Sequence, residues 1–207
     1  MRCKAGILCV LFIGITSLIY AQNQNEEPSE DIDWDNIQYD AYASGDQALT
    51  ISLGVVFPAL FVYDGVVHPK SNNFDPPVGG TGSFTFNYYL FPYLFVGGEI
   101  GGMFLPTLAK NTMYVIYLGG RVGTQFIAWR FEFPISASFG MSWQTYLDEG
   151  HYTMYLRGSV AAFFRATPSW AFGLTSSWFF IPQWTGNRAT DGYGNFVDLT
   201  LSAKYQF

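Results

Sequence analysis

Charged residues that alternate with apolar neighbours carry most of the chemistry open to this chain. Glu99, Arg121, Glu132, Arg157, Asp198 and Lys204 each stand in a stretch of alternating character, and each falls on the polar side. Three carboxylates and three cations on one side of a sheet could form a gate or a selectivity filter. They could equally pair into a structural plug, because charges taken out of water must find partners. Nucleophilic catalysis has less to rest on. His68, Ser71 and Asp75 share one polar loop, without the rigid scaffold a triad needs, and His151 stands apart from them. Asp31, Asp33 and Asp35 open like a calcium loop, but the sixth position is Asn36 rather than Gly and the twelfth is Tyr42 rather than Glu. No metal-ligand spacing, phosphate-binding glycine loop or haem motif is present, so no catalytic residue, metal or cofactor is expected.

The elements that must position the six charges are strands. In the terminal stretch FVDLTLSAKYQF, Val197, Leu199, Leu201, Ala203, Tyr205 and Phe207 form one face, while Asp198, Thr200, Ser202, Lys204 and Gln206 form the other. Period-two alternation of this kind places one face in an apolar medium and one in a polar medium. The pattern recurs over residues 48–57, 81–90, 94–104, 113–124, 131–143, 151–164 and 170–181, which makes eight strands. Most have the length that a tilted strand needs to cross a bilayer. Connections alternate between long and short, with 58–80 long and Phe91-Pro92-Tyr93 tight. Glycine doublets (Gly97-Gly98, Gly101-Gly102, Gly119-Gly120) weaken the pattern in the third and fourth strands, and Pro134 predicts a bulge or break in the fifth.

Composition selects the medium. Twenty Phe and fourteen Tyr accompany only 13% charged residues, and a soluble chain so built would expose large apolar patches. No segment after the amino-terminus reaches the ~18 apolar residues of a spanning helix. Closed barrels are the other structure that crosses lipid. The expected fold is an all-β, eight-stranded antiparallel up-and-down transmembrane barrel over residues 47–207, with a soluble β-sandwich as the competing arrangement. All six charges then face the lumen. An outward base near the bilayer midplane would cost about 2–4 kcal/mol, so a one-residue slip is disfavoured in every strand. Trp143, Tyr152 and Trp178 fall at the loop ends; Tyr93, Trp129, Trp170, Tyr205 and Phe207 fall at the turn ends. Two aromatic belts of this kind mark the two interfaces of a membrane. By strand adjacency, Glu99 is expected beside Arg121, and Arg121 beside Glu132.

The amino-terminus reads as a secretory signal over residues 1–21: Arg2 and Lys4, an apolar core from Ile7 to Ile15, and Ala21 before the cut. Both cysteines, Cys3 and Cys9, lie inside it, so thiol chemistry is not expected of the processed chain. Residues 22–46 form an acidic arm with eight carboxylates and no base, expected to be disordered. From Gln47 onward acids and bases are balanced at eight each, and no basic patch invites nucleic acid.

The chain resembles the small eight-stranded outer-membrane barrels, and within them the OmpW-like group, with OmpA-like and OmpX-like barrels next. The likeness rests on the leader, on GVVFP (Gly54 to Pro58), on the short turn before LFVGGEIG (Leu94 to Gly101) and on the closing LSAKYQF. It implies residence in the outer membrane of a diderm bacterium, contact with outer-membrane lipid and periplasmic chaperones, and a monomeric state. It also implies an assembly signal at Tyr205 and Phe207, read by the barrel-assembly machinery. Passage of small hydrophobic solutes, which that group is associated with, would use an apolar lining for which Phe57, Phe61, Val62, Met103, Phe104 and Leu105 are candidates. The leading expectation is therefore a narrow channel or lateral-release conduit for such solutes. The alternative is a structural or adhesin-type barrel with a closed lumen whose loops bind a partner.

Overall fold

The computed structural model describes residues 42–63, 66–68, 78–106, 112–146, 149–183 and 192–207. The leader of residues 1–21, most of the acidic arm, the calcium-like loop up to residue 41, and Ser71 and Asp75 lie outside them. The strands are β1 (Gln47–Tyr63), β2 (Val66–His68), β3 (Gly79–Phe91), β4 (Leu94–Pro106), β5 (Thr112–Ala128), β6 (Phe131–Tyr146), β7 (Glu149–Arg165), β8 (Trp170–Gln183) and β9 (Gly192–Gln206). No helix among the described residues is long and apolar enough to cross a membrane.

Antiparallel pairing runs from β1 to β3 and then strand by strand to β9, which pairs back with β1. The closing seam is long: Ala48 faces Gln206 and the ladder continues to Tyr63 opposite Gly192, with one irregularity between Pro58 and Leu60. Closure removes both sheet edges, so every wall strand has two neighbours. The three-residue β2 pairs only with the end of β1, at Phe61, Val62 and Tyr63. Eight strands thus make the wall, and β2 is a hairpin extension beyond it.

The strands outrun the alternation that predicts them. β1 reaches Tyr63 rather than stopping at Phe57, which corrects the expected loop over 58–80, and β9 begins at Gly192 rather than Phe196. The two extensions pair with one another. Backbone hydrogen bonding carries the wall past the point where its side chains cease to alternate.

The alternation sorts the two faces. Ile51, Leu53, Leu118, Phe139, Met141, Leu174 and Leu201 are exposed outside, while Thr50, Ser52, Thr85, Ser138, Ser177 and Thr200 are buried inside. An apolar exterior around a polar interior inverts the arrangement of a soluble protein and matches lipid outside. Trp143 and Tyr152 stack outside toward the loop end, with ring centroids 6.4 Å apart. At the turn end Trp170 lies 4.9 Å from Tyr205, and Tyr205 stacks on Phe207 at 5.9 Å. At the tight turn between β5 and β6, Trp129 holds φ at 55°, a left-handed conformation uncommon outside glycine.

Pro134 breaks the wall locally. Pairing of β6 with β7 lapses after Glu132–Phe163 and resumes at Ile135–Val160 in the same register, so this is a gap rather than a bulge. Proline has no N–H to give to the ladder. The glycines of β4 and β5 make room inside. A Cβ on Gly101 would sit 2.4 Å from the Tyr117 hydroxyl, and one on Gly119 would sit 2.4 Å from that of Tyr155. Tyrosine rings fill the space that these glycines leave.

Candidate functional site

An eight-stranded barrel is just narrow enough for side chains to meet across it. That width decides the geometry of the interior. The side chains of Glu99, Glu132, Arg157, Asp198 and Lys204 are all buried inside, and Arg121 is partly buried there. They do not pair along the wall as strand adjacency predicts. Glu99 lies with Arg157 rather than Arg121, and Glu132 lies with Arg165 and Lys204 rather than Arg121. Long side chains reach across the lumen from β4 to β7 and from β6 to β9, and only the Glu132–Arg165 pair of these joins adjacent strands, β6 and β7.

Two clusters result. In the first, Arg157 bridges two acids: Nη1 is 3.1 Å from Glu99 Oε2, and Nη2 is 3.3 Å from Asp198 Oδ2. The same Nη2 donates to Ser177 Oγ at 2.9 Å, and the Tyr155 hydroxyl donates to Glu99 Oε1 at 2.9 Å. The guanidinium also lies over the Phe179 ring at 4.7 Å. Above it, toward the loops, Val56, Met103, Leu105, Met113, Val115, Ile181 and Phe196 pack as one buried apolar cluster with Tyr117, Tyr155 and Phe179.

The second cluster sits toward the turn end and has the opposite stoichiometry. Glu132, 0% exposed, receives both Arg165 and Lys204. Its third partner comes from outside the wall. Tyr42, only 1% exposed, donates its hydroxyl to Glu132 at 3.1 Å and stacks on Tyr89 with centroids 3.9 Å apart. Arg165 and Lys204 lie over the Tyr42 ring at 4.9 and 5.1 Å. Burial, with Tyr89 and the Glu132 charge close by, raises the Tyr42 phenol above its ordinary value, so it stays a neutral donor. Ala48, Tyr89 and Phe95 complete this packing, and Tyr89 donates to Gln125 at 2.9 Å. The expected disorder of residues 22–46 therefore fails at its end: Tyr42 is a lumen residue, and Asp46 accepts from the Ala43 amide at 2.8 Å.

Arg121 belongs to neither cluster. It donates to Ser136 Oγ at 2.6 Å and lies over Phe95 at 5.5 Å.

The candidate apolar lining divides. Met103 and Leu105 point inward and are buried, whereas Phe104 is 52% exposed on the outside, as the pleat requires. Phe104 is thus a lipid-face residue, not a lining residue. Phe57 follows the inward Val56 and is half-buried on the other face, so it leaves the lining too. The side chains of Phe61, Val62 and His68 lie outside the described set. Tyr205 and Phe207 are exposed at the turn end beside Trp170. His151 is exposed at the start of β7. Among the described residues, no group of His, Cys, Asp or Glu is placed to hold a metal ion.

Sequence reasoning misses Arg165, Tyr42 and Tyr155. Arg165 continues the inward series Arg157, Ser159, Phe163, so extending β7 by one residue would have found it. Tyr155 sits in the same series. Tyr42 carries no such signal, because it lies in an acidic stretch with no alternation.

A closed antiparallel barrel, apolar outside and ionic inside, is a transmembrane β-barrel, and its eight wall strands give it the fold of the small outer-membrane barrels. A protein-family model matches residues 23–205, and the chain belongs to that family. The Neisserial surface protein A structure is similar with a TM-score of 0.58 at 9% identity, covering 80% of this chain and 99% of that one. The outer membrane protein OprG from Pseudomonas aeruginosa is similar with a TM-score of 0.47 at 11% identity, covering 81% and 98%. Outer membrane protein AlkL in lipid bilayers is similar with a TM-score of 0.47 at 12% identity, covering 83% and 94%. No curated protein matches the chain in sequence.

Proposed function

We propose that this protein is a monomeric, non-enzymatic outer-membrane barrel with a closed lumen, which works through its loop end by binding a partner there. The observation that carries this reading is the filling of the interior at both ends. Toward the turns, Tyr42, Tyr89 and Phe95 pack over the Glu132 cluster; toward the loops, Met103, Leu105, Met113, Ile181 and Phe196 pack over the Arg157 cluster. Among the described residues, two paired clusters and their apolar cover stand in the way of ions and polar solutes. Export by the leader of residues 1–21 fits a family match that starts at residue 23. Assembly through Tyr205 and Phe207 fits their exposure at the turn end, where periplasmic chaperones and the assembly machinery would meet them. Conductance across a planar bilayer tests the closed lumen. The refolded barrel is expected to pass no steady current, and a resolved unitary conductance in the unaltered protein would overturn the reading.

One observation favours a second reading, a lateral conduit for small hydrophobic solutes. Pairing of β7 with β8 stops at Leu156–Phe180, although both strands run on toward the loops. Pro182 offers no N–H there, and the Thr153 hydroxyl donates to its carbonyl instead. The loosened seam lies beside the apolar cluster that contains Ile181, Met103 and Leu105. On this reading a solute enters among the loops and leaves through the wall without crossing the clusters. Uptake of a small hydrophobic solute into cells is then expected to fall when Met103 and Leu105 are replaced by Asp. Unchanged uptake with normal barrel levels would remove this alternative.

A further inference from the structure

Between the two ionic clusters the lumen holds a small cavity of about 40 Å³. Its lining mixes apolar and polar groups, and the charges in it are of one sign. Arg121, Arg157 and Lys204 contribute to it, with hydroxyls from Thr50, Ser52, Ser83, Thr85, Ser136, Ser159 and Thr175, and no carboxylate. The acids that partner Arg157 and Lys204 are held away from this space. Arg121 is different. Its described polar partner is the neutral Ser136, and its Nε, although buried, has no hydrogen-bond partner. The Thr85 hydroxyl in the same lining is also buried without a partner. Counting the described strand charges that face inward, Glu99, Glu132 and Asp198 stand against Arg121, Arg157, Arg165 and Lys204. Among these described residues the cations outnumber the acids by one. A guanidinium in a low-dielectric interior with no carboxylate bonded to it is costly, and water alone offsets only part of that cost. A guanidinium with an unused N–H and a free hydroxyl donor are the groups that bind an anion.

We propose that this cavity is a binding site for one small inorganic anion, held by Arg121 and the Thr85 hydroxyl, which pairs with the Arg121 guanidinium. The site is independent of the closed-lumen and conduit readings, since neither uses Arg121. The anion enters as the barrel closes and is retained between the two clusters.

Bromide is the probe. Full-length processed barrel, refolded in detergent with bromide as the sole small anion and crystallised, is expected to show an anomalous bromide peak within contact of the Arg121 guanidinium. A cavity with water density and no anomalous peak overturns the proposal. In solution, replacing gluconate by bromide at constant ionic strength is expected to raise the thermal midpoint of the unaltered barrel by about 2–4 °C, the size of shift that ligand binding to the folded state gives. Arg121→Gln removes the guanidinium that would hold the anion, so its midpoint is expected not to respond. An equal response in Arg121→Gln would mean that the anion acts elsewhere. Should Arg121→Gln fail to fold, Thr85→Val serves instead, with a response reduced at least about threefold; the crystallographic arm needs no variant.

Discussion

The two ionic clusters of the lumen are near mirror images in charge. Around Arg157 one cation serves two acids, Glu99 and Asp198. Around Glu132 one acid serves two cations, Arg165 and Lys204. They differ also in what completes them. The Arg157 cluster is closed by strand residues alone, Tyr155 and Ser177, while the Glu132 cluster takes Tyr42 from ahead of the first strand. The first is therefore a property of the wall, and the second also ties the end of the arm to the barrel. The comparison teaches that losing an acid cannot have the same consequence at the two places. Arg157 without Glu99 still has Asp198, whereas Glu132 is the acid that Arg165 and Lys204 share.

The largest effect expected is that of Glu132→Gln. Arg165 and Lys204 lose the acid they share, and breaking a buried pair from one side costs about 3–5 kcal/mol. The heat-modifiable gel transition of the refolded barrel is expected to fall steeply, and less for Glu99→Gln. Adding Lys204→Met to Glu132→Gln is expected to restore part of the loss. Equal transitions for Glu132→Gln and Glu99→Gln would erase the distinction between the clusters.

Next in size is Tyr42→Ala. It deletes a buried ring and its bond to Glu132, and large aromatic truncations in packed interiors cost about 3–5 kcal/mol, less where neighbours relax. Here Arg165 and Lys204 stay paired, so the gel transition should shift by less than in Glu132→Gln. Protease protection separates this from a wall defect. Cleavage within residues 22–46 of the folded barrel is expected to extend closer to Gln47 in Tyr42→Ala, while the strands stay resistant. An unchanged cleavage boundary would mean that Tyr42 does not tether the arm.

Smallest is Tyr155→Phe. The ring still fills the space over Gly119, and only the hydrogen bond to Glu99 is lost, a change of about 1–2 kcal/mol for a bond to a charged acceptor. Gly119→Ala is expected to cost more, because its Cβ would meet both the Tyr155 hydroxyl and the Phe139 carbonyl, at 2.4 and 2.5 Å. The reverse order in denaturant midpoints would mean that the glycine is not there to make room for the ring.

Much of the wall is legible in the chain. Residues 131–143 alternate so cleanly that strand, register and facing follow together, and Glu132 is placed inward at once. The gap at Pro134 follows from the missing N–H. Legibility drops where alternation stops. The extensions of β1 to Tyr63 and of β9 back to Gly192 rest on backbone pairing with each other, which side-chain pattern does not encode. Phe104 and Phe57 look like lining when position near a loop is the guide, but the pleat turns both away from Met103, Leu105 and Val56.

Facing is thus a local property: a two-residue period assigns each side chain to lipid or lumen, and it was readable for all six expected charges. Partnership is not local. Whether Glu99 meets Arg121 or Arg157 depends on the diameter of the closed barrel and the stagger of its strands, which exist only once β9 has paired with β1. The insertion of Tyr42 depends on the same closure, because Tyr89, Glu132, Arg165 and Lys204 form a single binding surface only when β3, β6, β7 and β9 face one another across the lumen.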